Sequence, residues 1–203
     1  MLDPRFVFLA AALSVVGSTT YVRDTLRGTT SPHRVTWSLW ALEGILAFVD
    51  EIQQHVGLAS VMTLALGFIP LVVLAASFKN PHAVWKVDST DVVCGLVSLG
   101  GLVFWALVNQ PTVALVSFAS ADFIAALPTY RKSWRAPESE TSRIFILGAV
   151  NTGITLLTLK HFTTAGALFP GAIMMTDSIL SVLIVTRLGP RWSRRRSHLG
   201  LPT

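Results

Sequence analysis

Charge segregation limits what this chain can fold into more than any other feature. Apolar stretches near the roughly 20 residues that span a bilayer alternate with short basic clusters, such as "RKSWR" at 131–135 and "RWSRRR" at 191–196. A soluble domain intersperses its charges and carries about 25% of them. Here 13% of 203 residues are charged, 52% are apolar and mean hydropathy is +0.60. The pattern predicts an all-α polytopic membrane protein. The net charge of +5 then reads as topology rather than nucleic-acid binding, because the basic residues flank apolar segments. The lone Cys94 excludes an intrachain disulfide and reads as a packing residue.

Seven transmembrane helices are expected, over 6–22, 35–53, 57–77, 91–109, 112–130, 142–159 and 166–186. The second has fifteen residues between Arg34 and Asp50, and spans if it continues through Ile52. Asn109-Gln110-Pro111 reads as a tight hairpin with Pro111 opening the fifth helix. Ser89 or Thr90 is the expected cap of the fourth. With seven spans, 14 of the 16 basic residues fall on one side, leaving Arg5 and Lys160 on the other. The excess of lysine and arginine on the cytoplasmic side places the amino terminus outside and the carboxyl terminus in the cytoplasm of a plasma (inner) membrane. The first segment makes a poor cleaved leader, having Arg5 and Asp3 before it, and is expected to stay as a structural helix.

The chain also repeats internally. An offset of 109 residues puts Ala10 on Ala119, Ala12 on Ala121, Thr20 on Thr129, Tyr21 on Tyr130, Arg34 on Arg143, Gly44 on Gly153, Ile45 on Ile154 and Gly57 on Gly166. The basic loop after helix 1 lands on the basic loop after helix 5. A unit of three helices repeats in parallel only if another helix reverses the chain. The division is therefore a first three-helix repeat over 1–78, a cytoplasmic loop and linker helix over 79–110, a second repeat over 111–187 and a basic cytoplasmic tail over 188–203.

This 3 + 1 + 3 layout is similar to that of SWEET sugar transporters and the wider PQ-loop superfamily. "LPTYRKSWRAPESETS" at 127–142 resembles the loop after the first helix of a PQ-loop bundle, where a proline near the helix end precedes a basic stretch and a serine-rich entry to the next helix. Pro128 takes that proline's place. Thr129 replaces the glutamine, and the first repeat reads Thr19-Thr20 without proline. The resemblance implies alternating access, with two bundles rocking around a central site and Pro128 as a hinge. Bacterial vitamin carriers share the layout, but their tryptophan- and tyrosine-rich signature is not found. KDEL receptors share the fold and bind a peptide signal, so a non-transporting receptor or assembly protein is the alternative to a carrier.

Polar groups deep in an apolar helix cost about 2.5–3.5 kcal/mol each when charged, so they mark a candidate site. Glu43 stands mid-way along "LWALEGILAFV" (39–49), with Trp40 about one turn and Trp37 about two turns before it. Indole surfaces beside a carboxyl suit a sugar-like ring or an organic cation. Trp37 reads better as an interfacial belt residue, and Trp40 equally as belt or site. The offset puts Glu43 on Thr152, beside Asn151, which reads equally as a site group or as interhelical glue. Asp122 lies mid-way along helix 5. Asp177 lies deep in helix 7, with Met174 and Ser181 on its face.

Apart from Arg143 at the entry of the sixth, no basic residue lies in any span. Glu43, Asp122 and Asp177 must then be protonated, hydrated, or paired with a proton, cation or substrate. Asp50 and Glu51 are expected at the outer mouth, and Gly44, Gly57, Gly153 and Gly166 to permit close helix packing. No nucleophile elbow, phosphate loop or histidine pair at metal spacing is present in the sequence, so no enzyme, cofactor or metal is expected. The expected function is an integral membrane carrier for a small polar solute, sugar-like or vitamin-like, with proton coupling left open. The substrate site would comprise Trp40, Glu43, Asp122, Asn151 and Asp177. The bilayer is the expected partner, with anionic lipid at the basic tail, and self-association stays open.

Overall fold

The structure is a computed structural model, and it describes residues 6–53, 59–80, 86–108, 110–158 and 164–198. Among these residues there are eight α-helices and no strand: α1 Phe6–Leu26, α2 Arg34–Gln53, α3 Ala59–Lys79, α4 Ser89–Leu107, α5 Pro111–Arg135, α6 Ser142–Thr158, α7 Thr164–Thr186 and α8 Leu188–His198. A single 3₁₀ turn, Pro137–Ser139, separates α5 from α6. The first seven occupy the seven apolar segments expected from sequence, because each run of apolar side chains ends at a charge, glycine or proline signal. α1 stops at Gly28, whose φ of 77° is the left-handed conformation that glycine adopts without strain.

Two helices, Ser89–Leu107 and Ala167–Thr186, are long and apolar enough to cross a membrane; Leu64–Lys79 and Ser142–Thr158 are shorter apolar helices. α2 is less apolar because it carries Arg34, Glu43, Asp50 and Glu51. The outward surface is greasy. On α4 alone Val92, Val93, Leu96, Val97, Leu99, Val103, Phe104 and Leu107 are exposed, far more than scattered surface apolars would give.

Six helices close into a ring. α3 packs between α1 and α2, and α7 between α5 and α6. The ring is completed where α1 meets α6 and α2 meets α5. α1 does not pack on α2, nor α5 on α6, among the described residues. α4 lies outside the ring against α5 and α2. Small residues set the close approaches. At the α2–α3 crossing, a methyl on Gly44 would overlap the Gly67 backbone, and one on Gly67 would lie 2.6 Å from the Ile45 nitrogen. A methyl on Gly101 of α4 would meet the Ala121 Cβ at 3.1 Å.

Several expectations need correction. The α4 cap is Asp88, not Ser89 or Thr90. The Asp88 carboxylate accepts from the Asp91 N–H at 3.1 Å while Asp91 accepts from the Asp88 N–H at 2.9 Å, a reciprocal box closed to Ser89 and Thr90 because Val92 and Val93 stand three residues beyond them. The tail is helical up to His198. Arg187, at a φ of 52°, turns the chain out of α7, and Gly189 lets α8 seat on the Trp134 carbonyl at the end of α5. Gly153 is not a close-packing position, since a methyl there would meet only the Met174 sulfur at 3.7 Å. Gly57 lies outside the described residues, as do the side-chain surroundings of Gly166, Asp50 and Glu51. Cys94 is half-buried and free.

Candidate functional site

The ring surrounds a cavity of about 160 Å³. All six ring helices line it and α4 does not: Ser14 from α1; Trp37, Trp40, Glu43, Gly44 and Ala47 from α2; Leu66, Ile69 and Pro70 from α3; Phe118 and Asp122 from α5; Ile144, Phe145, Gly148, Asn151 and Thr152 from α6; Phe169, Ile173, Thr176 and Asp177 from α7. The five residues singled out from sequence, Trp40, Glu43, Asp122, Asn151 and Asp177, are all on this wall. They come from four helices scattered along the chain. Most of the lining is apolar.

Each acid has a distinct setting. Glu43 is 3% exposed and Asp122 6%, and their carboxyls neighbour each other across the α2–α5 seam. Yet Glu43 Oε1 and Asp122 Oδ2 are buried with no hydrogen-bond partner in the protein. Asp122 also neighbours Trp40. Asp177 lies against the bare backbone of α6: its Oδ2 occupies the position that a methyl on Gly148 would take. No lysine, arginine or histidine is among the lining residues described. The Trp37 and Trp40 indole nitrogens and the Thr176 hydroxyl are further buried polar atoms on this wall without a partner. Such atoms cost about 1–3 kcal/mol each when left dry, so a concentration of them marks a place meant to be filled.

Across the ring, the α1–α6 seam carries a different device. The Asn151 amide donates to the Ser14 hydroxyl at 2.5 Å. Asn151 thus serves as interhelical glue while also facing the cavity. Under the 109-residue offset this bond sits within a residue of the position of the Glu43–Asp122 contact, with Thr152 matching Glu43 and Leu13 matching Asp122.

Trp37 is not an interfacial belt residue. It is 2% exposed, its ring stands 4.9 Å from Tyr21 and 5.2 Å from Trp40, and it floors the cavity. Its distance from the helix end suggested lipid contact, but the face it shares with Glu43 is the inward one. Reading the sequence also missed Phe118, Phe145, Phe169, Pro70, Ser14 and Thr176 on the wall. Phenylalanines facing lipid and phenylalanines facing a cavity look alike in sequence. Pro70 carried a usable signal, because a proline inside an apolar helix frees the carbonyl four residues back, here that of Leu66, itself on the wall.

Pro128 lies elsewhere. It is inside α5, which continues to Arg135, and it borders a smaller pocket with Lys86, Asp88, Asp91, Arg131, Lys132 and Arg135. This basic end is closed by a network. The Lys132 ammonium and Glu140 carboxylate, both with fully buried side chains, meet at 2.6 Å. Lys132 also donates to the Ser31 carbonyl, and the Tyr21 hydroxyl donates to Glu140 at 2.6 Å. The Thr30 and Thr141 hydroxyls share a bond of 2.5 Å, and Thr141 donates to Asp24 at 2.9 Å. Burial pushes the Lys132 ammonium below the usual lysine range, against the pull of Glu140.

Beside this network, His33 is fully buried, with its Nε2 3.2 Å from the Asp91 carboxylate. Burial holds its imidazole below the usual histidine range despite Asp91. At the surface, Asp88 is held below the usual carboxylate range by the Asp91 N–H first and by Arg131 second.

No known protein family, curated protein or solved structure matches the chain.

Proposed function

We propose that this chain is a seven-span integral membrane carrier that moves a small polar solute by alternating access, with its site in the central cavity. The observation that carries the reading is the wall itself: three acids, two of them buried with unpartnered oxygens, inside a ring built from both halves of the chain. A cavity framed by two repeats is where carriers of this build bind.

The helix order supports two parallel repeats, since α1–α3–α2 and α5–α7–α6 have the same internal packing. Segments 30–32 and 139–141 are equivalent under the offset and lie against each other, with the Ser31 N–H donating to the Ser139 carbonyl at 2.9 Å. Two copies related by a two-fold axis touch in this way at the axis. The two seams, α1–α6 and α2–α5, are then the surfaces on which the halves rock. The bonded basic end is the cytoplasmic gate in its closed state, and Pro128 beneath Asp122 is the hinge. The greasy outer surface faces lipid. α8, with Trp192 exposed beside arginines, lies on the anionic cytoplasmic leaflet. The SWEET-like, PQ-loop-like architecture is part of this proposal.

Uptake into proteoliposomes against a panel of sugars, vitamins, amines and amino acids tests it, with Glu43→Gln as control. Uptake of at least one class that Glu43→Gln abolishes is expected. If every class stays outside while solutes still stabilise the purified protein, the receptor reading replaces the carrier.

A further inference from the structure

Three features of the cavity bear on what fills it. The first is charge. Glu43, Asp122 and Asp177 supply acid from α2, α5 and α7, and no cationic side chain lines the wall among the described residues. Within a protein of net charge +5, the bases are held at the ends of the helices and kept out of the middle. The second is the kind of vacancy. Glu43 Oε1 and Asp122 Oδ2 are acceptors, each on a residue more than nine-tenths buried, and each lacks a donor. A neutral apolar guest leaves them unpaired. The third is the rest of the wall. Trp37, Trp40, Phe118, Phe145 and Phe169 put aromatic rings around the acids. Phe118 stacks edge-on to Phe169 at 4.9 Å, and Trp37 to Trp40 at 5.2 Å. Ring faces attract cations, most strongly where water is excluded.

From these we infer that the solute is a small organic monocation, an amine or quaternary ammonium with a short apolar body, held between the Glu43–Asp122 pair and the aromatic wall. The inference rests on the carrier reading for its site and adds the substrate class. The chemistry is additive. A protonated amine donates to the orphan carboxyl oxygens, whereas a quaternary ammonium has no N–H and meets them by charge alone. In both, the positive charge offsets theirs, and methyl or methylene groups fill space that a sugar would meet with unmatched hydroxyls. Two carboxyls in contact resist sharing two negative charges, and a cation between them removes that cost. Asp177, on α7 against Gly148 of α6, adds a third acid to the same wall.

The test uses the full chain in detergent and matched probes of one shape. Thermal unfolding is followed with tetramethylammonium, choline and the neutral choline isostere 3,3-dimethylbutan-1-ol, and with glucose. The cations are expected to raise the melting temperature saturably while the neutral isostere and glucose leave it unchanged. Glu43→Gln and Asp122→Asn should each weaken cation binding by about tenfold to a hundredfold, as for losing one close charge partner of a desolvated cation, with melting in the absence of probe as the check that they fold. Equal stabilisation by the neutral isostere overturns the inference, as does the absence of any shift with the cations. If glucose alone stabilises, and is taken up by proteoliposomes, the carrier reading stands and the cation class falls. If no probe binds and no solute is taken up, both fall.

Discussion

Two interiors of this molecule hold buried charge, and they treat it in opposite ways. At the basic end Lys132 and Glu140 are both sealed from solvent, yet each is paired and further bonded, to Ser31, Ser139 and Tyr21. In the cavity Glu43 and Asp122 are buried and Asp177 is half-buried against α6, and no base stands among the lining residues described. A buried pair with its remaining bonds satisfied fixes geometry. Buried acids without donors do the reverse: they hold free energy in reserve until something arrives. The comparison teaches that burial of a charged residue does not by itself mark function. The mark is a buried acid oxygen without a partner, and among the described residues Glu43 and Asp122 on the cavity wall carry it, whereas the orphan atoms around the basic end belong to Thr25, His33 and Ser133.

Breaking the paired interior should have the largest effect. Glu140→Gln leaves the Lys132 ammonium buried against a neutral amide, and Lys132→Met leaves the carboxylate. Each should cost on the order of 3–5 kcal/mol, read as loss of folded protein in thermal or denaturant unfolding. The double variant Lys132→Met/Glu140→Leu should recover part of the loss. A loss under 1 kcal/mol for either single variant would show that the basic end is no better satisfied than the cavity.

Next in size is Gly148→Ala. Its methyl displaces the Asp177 carboxylate from the α6 backbone, for a cost of about 1–3 kcal/mol as overpacking. Asp177→Ala added to it should restore stability, and a double variant as unstable as the single would place the strain elsewhere.

His33 sharpens the basic end by pH. Its folded-state pKa lies below its ordinary value near 6.5, with Asp91, Glu140 and Lys132 as its charged neighbours. The unfolded chain therefore binds the proton more readily. His33's share of stability is full above pH 6.5 and is lost as pH falls from there to the lowered folded value. The melting temperature of the wild type should drop over that window more steeply than that of His33→Gln. Parallel curves would mean that His33 does not titrate with unfolding.

The smallest effect is expected at the α1–α6 seam. Ser14→Ala removes the bond from Asn151 and should cost about 0.6 kcal/mol, the average for an interhelical bond of this kind. The Asn151 amide can turn to the cavity instead.

Much of this was legible in the sequence, for particular reasons. The seven long helices were, because apolar runs and charge clusters are local. The five cavity residues were, because an acid or amide in an apolar run is rare enough to stand out. The 109-residue offset put Glu43 and Thr152 at one depth, and both line the cavity. The basic end was not legible. Lys132 reads as one more topology charge, and nothing local says that its side chain is fully buried. Its partner shell comes from Tyr21, Ser31 and Glu140, and the Tyr21–Glu140 bond joins residues 119 positions apart. Trp37 was misplaced for a related reason: depth along a helix is visible in sequence, but the face is settled by neighbours such as Tyr21. α8 was missed because the tail reads only as a basic cytoplasmic end, and nothing local shows that Gly189 is where a helix seats on Trp134.

The most direct measurement sets Glu43→Gln beside Glu140→Gln in one protein preparation, reading melting temperature and solute uptake together. Glu140→Gln should melt well below wild type. Glu43→Gln should melt at or above wild type and yet take up no solute, because removing an unpaired buried acid relieves the fold and empties the site of its purpose. Contradiction would be a Glu43→Gln protein that is destabilised as much as Glu140→Gln, or one that keeps wild-type uptake. The first would make Glu43 a structural residue, and the second would remove it from the solute site.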